Sequence, residues 1–202
     1  MPPRSAPRAL RHQIAIEAAQ LIAEQSDLSY SQARAKAARR LKCSDQRQMP
    51  ENREIEQALR SHLQIFQPDT QPAQLKKLRE SAAEAMQLFR AYQPLLIGPV
   101  LTGTANLHTP ITLVLFSDTV ESVAISLLDW NIPCRQREVW LDYSNRKRVA
   151  RSLFSFHAGE HRIELLVLPH SDQHNLPLDP TDERPQKGAS LDKLRILLEA
   201  SG

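Results

Sequence analysis

Apolar positions in the first half of the chain recur at helical spacing. Leu10, Ile14, Ala18 and Leu21 step by four, four and three, which marks one buried face of a helix. Ser29 and Gln32 have the spacing of a capping box, in which a hydroxyl accepts from a free backbone N–H and the glutamine reaches back. Tyr30, Ala33, Ala37 and Leu41 then form the stripe of a second helix, so rich in alanine that a neighbouring helix can approach closely. Asn52 reads as the N-cap of a third helix over 53–66, stopped before Pro68. A fourth is expected over 74–92, with Leu75, Leu78, Ala82, Met86 and Phe89 along one side. Residues 43–50 and 67–72 read as connectors.

The period changes at Pro94. Residues 95–97 make a short apolar strand, and Ile111–Phe116 is an unbroken run of apolar and β-branched residues, as in a strand buried on both faces. Ser117 and Asp118 suit the cap of a helix reaching about Trp130. Strands are expected near 136–143, 149–156 and 162–168, with hairpin turns at 144–146 and 158–159. The polar, proline-rich stretch 170–189 reads as a wrapping arm or a loop over a site, ahead of a last helix from Ser190. The expectation is an α+β chain, with a helical region over 1–93 and a mixed β-sheet flanked by helices over 94–202.

Composition narrows the classes. Hydrophobic residues make up 41% and charged residues 24%, the balance of a globular protein rather than a disordered one. No apolar run approaches a membrane span, and Glu17 and Gln20 interrupt the first apolar stretch, so neither a membrane anchor nor a signal peptide is expected. Cys43 and Cys134 give no zinc spacing and no disulfide framework, which suits a reducing cytoplasm. The net charge of +3 is uneven: residues 1–93 hold 15 Lys+Arg against 10 Asp+Glu, and the remainder 11 against 13. Lys36, Arg39 and Arg40 lie opposite the second helix's apolar stripe, where they would meet RNA or DNA phosphates or simply solvent.

The chemistry question sits between Gly98 and Leu115. Gly98-Pro99, a second glycine at Gly103, and the strand that follows Pro110 resemble, in order and spacing, the minimal nucleotidyltransferase superfamily with its DNA polymerase β-like fold. That family carries Gly-Ser after its first strand, an Asp-x-Asp at the next, and a third carboxylate on a later strand, matched here by Glu164. The resemblance implies a phosphate-facing turn at Gly98, Thr102, Gly103 and Thr104, and a metal-ligand role for Glu164 toward Mg²⁺ held with a nucleotide. The departures are specific. Pro99 replaces the family's serine and removes a backbone donor. Pro110 and Thr112 stand where the two aspartates belong. One carboxylate cannot position two metal ions, so the expectation is a non-catalytic module that binds a nucleotide, an RNA or a protein. Two alternatives remain: a working transferase of NMP with displaced metal ligands, and a purely structural partner. Over most of its length the chain also resembles a group of bacterial nucleotidyltransferase-like proteins, which carries a fold and no substrate.

Weaker features accompany this pattern. Arg146, Lys147, Arg148 and Arg151 form a second basic cluster on a hairpin. His170, Asp172 and His174 alternate as metal ligands would, although a polar loop with no fourth ligand suits solvent better. Asp179, Asp182 and Glu183 are further carboxylates that a folded-over loop would bring to the Gly98 turn. His108 and His157 show no partner in the sequence.

Overall fold

Ile14, Ala18 and Leu21 are fully buried on one side of the first helix, α1 (Ala6–Glu24). The computed structural model describes residues 6–25, 28–66, 70–106, 109–180 and 184–200. Within them the chain divides into two compact units, Met1–Pro72 with Pro180–Asp182, and Ala73–Asp179 with Glu183–Gly202.

The first unit is a helical cluster. Helix α2 (Tyr30–Arg40) starts at the expected capping box: Ser29 Oγ accepts from the Gln32 N–H and Gln32 accepts from the Ser29 N–H. It stops where Lys42 turns left-handed at φ 53°, letting the Cys43 N–H reach the Ala38 carbonyl. Ala33 and Ala37 are fully buried against α1, and Ile55, Leu59 and Leu63 complete the core from α3 (Asn52–Phe66). The start of α3 differs from expectation. Asn52 is already helical, and it is the Glu51 N–H that the side chain of Glu54 caps, at 2.7 Å. The same Glu54 binds the Arg11 guanidinium of α1 at 2.5 Å, and that contact holds its carboxyl below the usual carboxylate range. Helices α1 and α3 are thereby stapled.

The second unit holds the sheet together with α4 (Thr70–Leu88) from Ala73 onward, which packs with the strands rather than with the helical region expected over 1–93. The reason is packing: Leu78, Ala82, Met86 and Phe89 bury against Leu96, Leu113, Phe154 and Leu165 in one core. Each fully buried side chain of this size contributes about 1.5–3 kcal/mol. Helix α4 starts and ends earlier than its apolar pattern predicts, and a 3₁₀ turn over Arg90–Tyr92 follows it.

The strands are β1 (Leu95–Ile97), β2 (Ile111–Phe116), β3 (Arg135–Asp142), β4 (Arg148–Ala158) and β5 (His161–Leu168), in spatial order β1-β2-β5-β4-β3. Only β2 and β5 run parallel, so the sheet is mixed and the chain is α+β as its sequence predicts. Between the strands come α5 (Pro99–Thr102) and α6 (Val120–Asp129), and α7 (Leu191–Glu199) closes the chain. Helix α6 is not capped by Ser117 or Asp118. Its N-cap is Thr119, without a side-chain cap bond, while Asp118 accepts from the His170 N–H at 3.1 Å.

Strand pleating separates two faces. Ile111, Leu113, Leu115, Ile163, Leu165 and Val167 share the helix-bearing core. On the other face, Val114, Phe116, Leu153, Leu166 and Leu168 form a smaller cluster with Leu176 of the long polar segment. That segment is an arm wrapped on the sheet. Asp172 accepts from the Tyr143 hydroxyl at 2.7 Å and from Arg151 at 3.2 Å, the Leu178 N–H bonds the Asp142 carbonyl, and Ala189 exchanges two backbone bonds with Leu96 of β1.

Candidate functional site

The turn after β1 is built from its two glycines. Gly98 sits at φ 74°, ψ −157°, a conformation essentially reserved for glycine, and Pro99 opens the single turn of α5 with its fixed φ. Gly103 ends it left-handed at φ 86°. Inside the turn the Leu101 and Thr102 N–H groups bond the Gly98 carbonyl, and those of Gly103 and Thr104 bond that of Pro99. The backbone donors of Thr102, Gly103 and Thr104, three of the four expected phosphate-facing residues, are therefore spent within the turn. Thr102 and Thr104 hydroxyls lie 3.1 Å apart, and Thr104 is buried.

The turn's Val100 and Leu101 carbonyls are held by a residue the sequence did not single out. Arg79 of α4, buried with the core, donates Nε to the Val100 carbonyl and Nη2 to the Leu101 carbonyl, each at 3.1 Å. Burial lowers its pKa from the usual arginine value. A planar fork meeting two successive carbonyls is the geometry a guanidinium supplies and an ammonium does not.

Glu164, the carboxylate that the sequence resemblance singles out, lies in the fourth position of β5. It is the parallel register partner of Thr112 on β2 and the antiparallel partner of Ser155 on β4, which in turn faces Arg135 on β3. Thr112, Glu164, Ser155 and Arg135 thus form one row across four strands on the face opposite the main core. Glu164 is buried and its Oε1 is taken by two guanidiniums: Arg162 at 2.7 Å, two residues back on its own strand, and Arg137 at 3.5 Å from β3. Pro110 precedes β2 and contributes no ligand atom beyond its backbone carbonyl. A divalent ion here would meet one carboxylate whose Oε1 is already bound by two guanidiniums, so the residues present do not fit a pair of divalent metals.

Around this row the open end of the sheet is cationic. Arg137 and Arg162 hold the one carboxylate, Arg135 stands two strands away in the same row, and a cleft of about 540 Å³ runs along the end of the face, lined by Cys134, Arg135, Ser155, His157 and Arg162. Alternation made this legible in principle: Arg135 and Arg137 stand two apart on one strand, as do Arg162 and Glu164 on another, so each pair shares a face.

The remaining sequence candidates fall elsewhere. In the helical unit, Lys36 donates to Gln25 at 3.0 Å and Arg40 pairs with Glu17 at 2.7 Å, while Arg39 is exposed. Asp172 anchors the arm instead of joining His170 and His174 on a metal, and the described residues hold no group of three or more metal-ligating side chains. Asp179 sits beside a short bridge between Leu178 and Pro185. Asp182, Glu183 and His108 lie outside the described residues. Arg148 faces Asp142 at 3.8 Å, and Arg146 and Lys147 are exposed on the hairpin. Among the described residues no helix is long and apolar enough to cross a membrane. No family model matches this chain, and neither does any curated protein or solved structure.

Proposed function

We propose that the sheet-bearing unit is a nucleotidyltransferase-like module that binds a phosphorylated ligand and does not carry out metal-dependent transfer. One observation carries the reading: Glu164, the single carboxylate at a family position, is clasped by Arg162 and Arg137 and faces the neutral Thr112. The strand order supports the family resemblance, because β1 lies antiparallel to β2 and β5 parallel to it, which brings the Glu164 strand alongside the strand that follows Gly103. A small ligand is favoured over RNA. Lys36 and Arg40 are already engaged by neighbours, leaving Arg39 as the freest cation of that helix face. Free thiols at Cys43 and Cys134 fit a reducing cytoplasmic setting.

The test is calorimetric titration of the four nucleoside triphosphates with and without Mg²⁺, alongside incubation with labelled triphosphates and cell extract. Binding that does not depend on Mg²⁺, with no label transferred, is expected. Label transfer abolished by Glu164→Ala would establish a working transferase with displaced ligands. Absence of binding to any triphosphate at millimolar concentration would leave the structural-partner reading.

A further inference from the structure

We infer that the cleft at the open end of the sheet, bounded by Arg135, His157 and Arg162, is a metal-independent site for the phosphate group of a small phosphorylated ligand. The inference rests on the binding-module reading and gives it a place and a chemistry, away from the Gly98 turn, where the N–H groups of Leu101, Thr102, Gly103 and Thr104 are bonded internally.

Charge is the first argument. Glu164 is shared by Arg137 and Arg162 and neutralises at most one of them, while Arg135, in the same row across Ser155, has no acidic partner among the described residues. Uncompensated arginines on a structured face repel one another and favour an anion between them. Geometry is the second. Arg162 and His157 are antiparallel register partners on β5 and β4, and Arg135 lies on β3 opposite Ser155, so the donors come from three adjacent strands rather than from mobile loops. Strand-borne groups hold their spacing better than loop-borne ones. Chemistry is the third. Two guanidinium forks and an imidazole supply more donors than a planar carboxylate accepts, whereas a tetrahedral phosphate has three oxygens to receive them. The cleft volume of about 540 Å³ exceeds what an inorganic ion needs and lies in the range of small-ligand sites, so the phosphate belongs to a larger molecule. Glu164 competes with that phosphate for Arg162, which makes it a brake on binding rather than a ligand.

Titration in EDTA with pyrophosphate, AMP and ribose 5-phosphate tests this on the full chain. Binding is expected without metal, AMP exceeding ribose 5-phosphate if the ligand is a nucleotide and the two binding alike if a sugar phosphate suffices. Arg135→Gln and Arg162→Gln are each expected to weaken binding about tenfold to a hundredfold, the loss of one charge-assisted contact. Glu164→Gln is expected to tighten it a few-fold. Arg135 is exposed and engages no acidic side chain, so its replacement leaves the fold intact. A second readout needs no variant: Cys134 lines the cleft and Cys43 lies in the helical unit, so bound ligand should slow labelling of Cys134 by iodoacetamide and leave Cys43 unchanged. Affinity untouched by both arginine variants, with Cys134 unprotected, overturns the cleft while leaving the binding module standing. Failure of every phosphorylated ligand overturns both. Binding that requires Mg²⁺ and disappears in Glu164→Gln also overturns both, in favour of the transferase.

Discussion

Thr112 on β2 and Glu164 on β5 are partners in parallel register, a hydroxyl beside a carboxylate at the centre of a mixed sheet. Two carboxylates in these places would make the beginning of a divalent-cation site. Thr112→Asp is therefore expected to bind Mn²⁺ in the millimolar range, seen as loss of the free-ion signal in electron paramagnetic resonance, while the wild-type chain leaves the ion free. A variant as indifferent to Mn²⁺ as the wild type would mean that Arg162 and Arg137 outcompete the ion for Glu164.

Arg79 is the keystone of the glycine turn. Arg79→Met leaves the Val100 and Leu101 carbonyls without their guanidinium, and is expected to cost about 2 kcal/mol after the relief of burying a charge is counted. Arg79→Lys is expected to recover only part of this, because an ammonium lacks the planar fork. Urea unfolding followed by circular dichroism measures both.

Gly188 passes so close to β1 that a β-carbon there would lie 2.9 Å from both Cβ and Cδ1 of Leu95. The Leu95 Cβ is fixed to its strand, so the arm has to move. Gly188→Ala is expected to destabilise the sheet unit by about 1–3 kcal/mol, with faster amide exchange at Leu96 and Ala189 as the local signature.

Burial and the hydrogen bond to Asp172 push the Tyr143 hydroxyl from its ordinary value of 10 up to about 12. The folded protein thus keeps a proton that the unfolded chain has already released. The stabilisation is complete below pH 10 and is lost as pH climbs toward 12, by roughly 2–3 kcal/mol in all. Stability curves of the wild type and Tyr143→Phe should converge over that window. A constant difference from pH 9 to 12 would dissociate the arm's attachment from this tyrosine.

The sequence reveals the elements more readily than their partners. Ile111–Phe116 reads as a doubly buried strand because all six residues favour that environment, and the Ser29–Gln32 cap is found as its spacing predicts. Periodicity groups helix α4 with the other helices, because it reports a buried stripe without saying what buries it; Met86 and Phe89 look the same against a helix or a sheet. The N-cap of α3 departs from expectation for a related reason: Asn52 has the better capping chemistry, but Glu54 is drawn back to the Glu51 N–H. Glu164 stands out in the sequence by its position, whereas its arginine partners do not, because Arg137 and Glu164 become neighbours only once β3, β4 and β5 pair. Arg79 carries no sequence signal for its role: an arginine among the polar positions of a helix ordinarily faces solvent.

The parallel pairing of β2 with β5 also sets the order in which the unit can assemble. Local hairpins join β3 to β4 and β4 to β5, but β2 waits for a neighbour that lies beyond both of them in the chain. During synthesis the segment Ile111–Phe116, uncharged and strongly β-forming, emerges well before His161–Leu168 exists to cover its edge. Pairings of this long-range kind close slowly and leave sticky intermediates in the meantime. The interval before that strand is covered is where a nascent chain of this protein is most exposed to aggregation, and where a chaperone has most to hold.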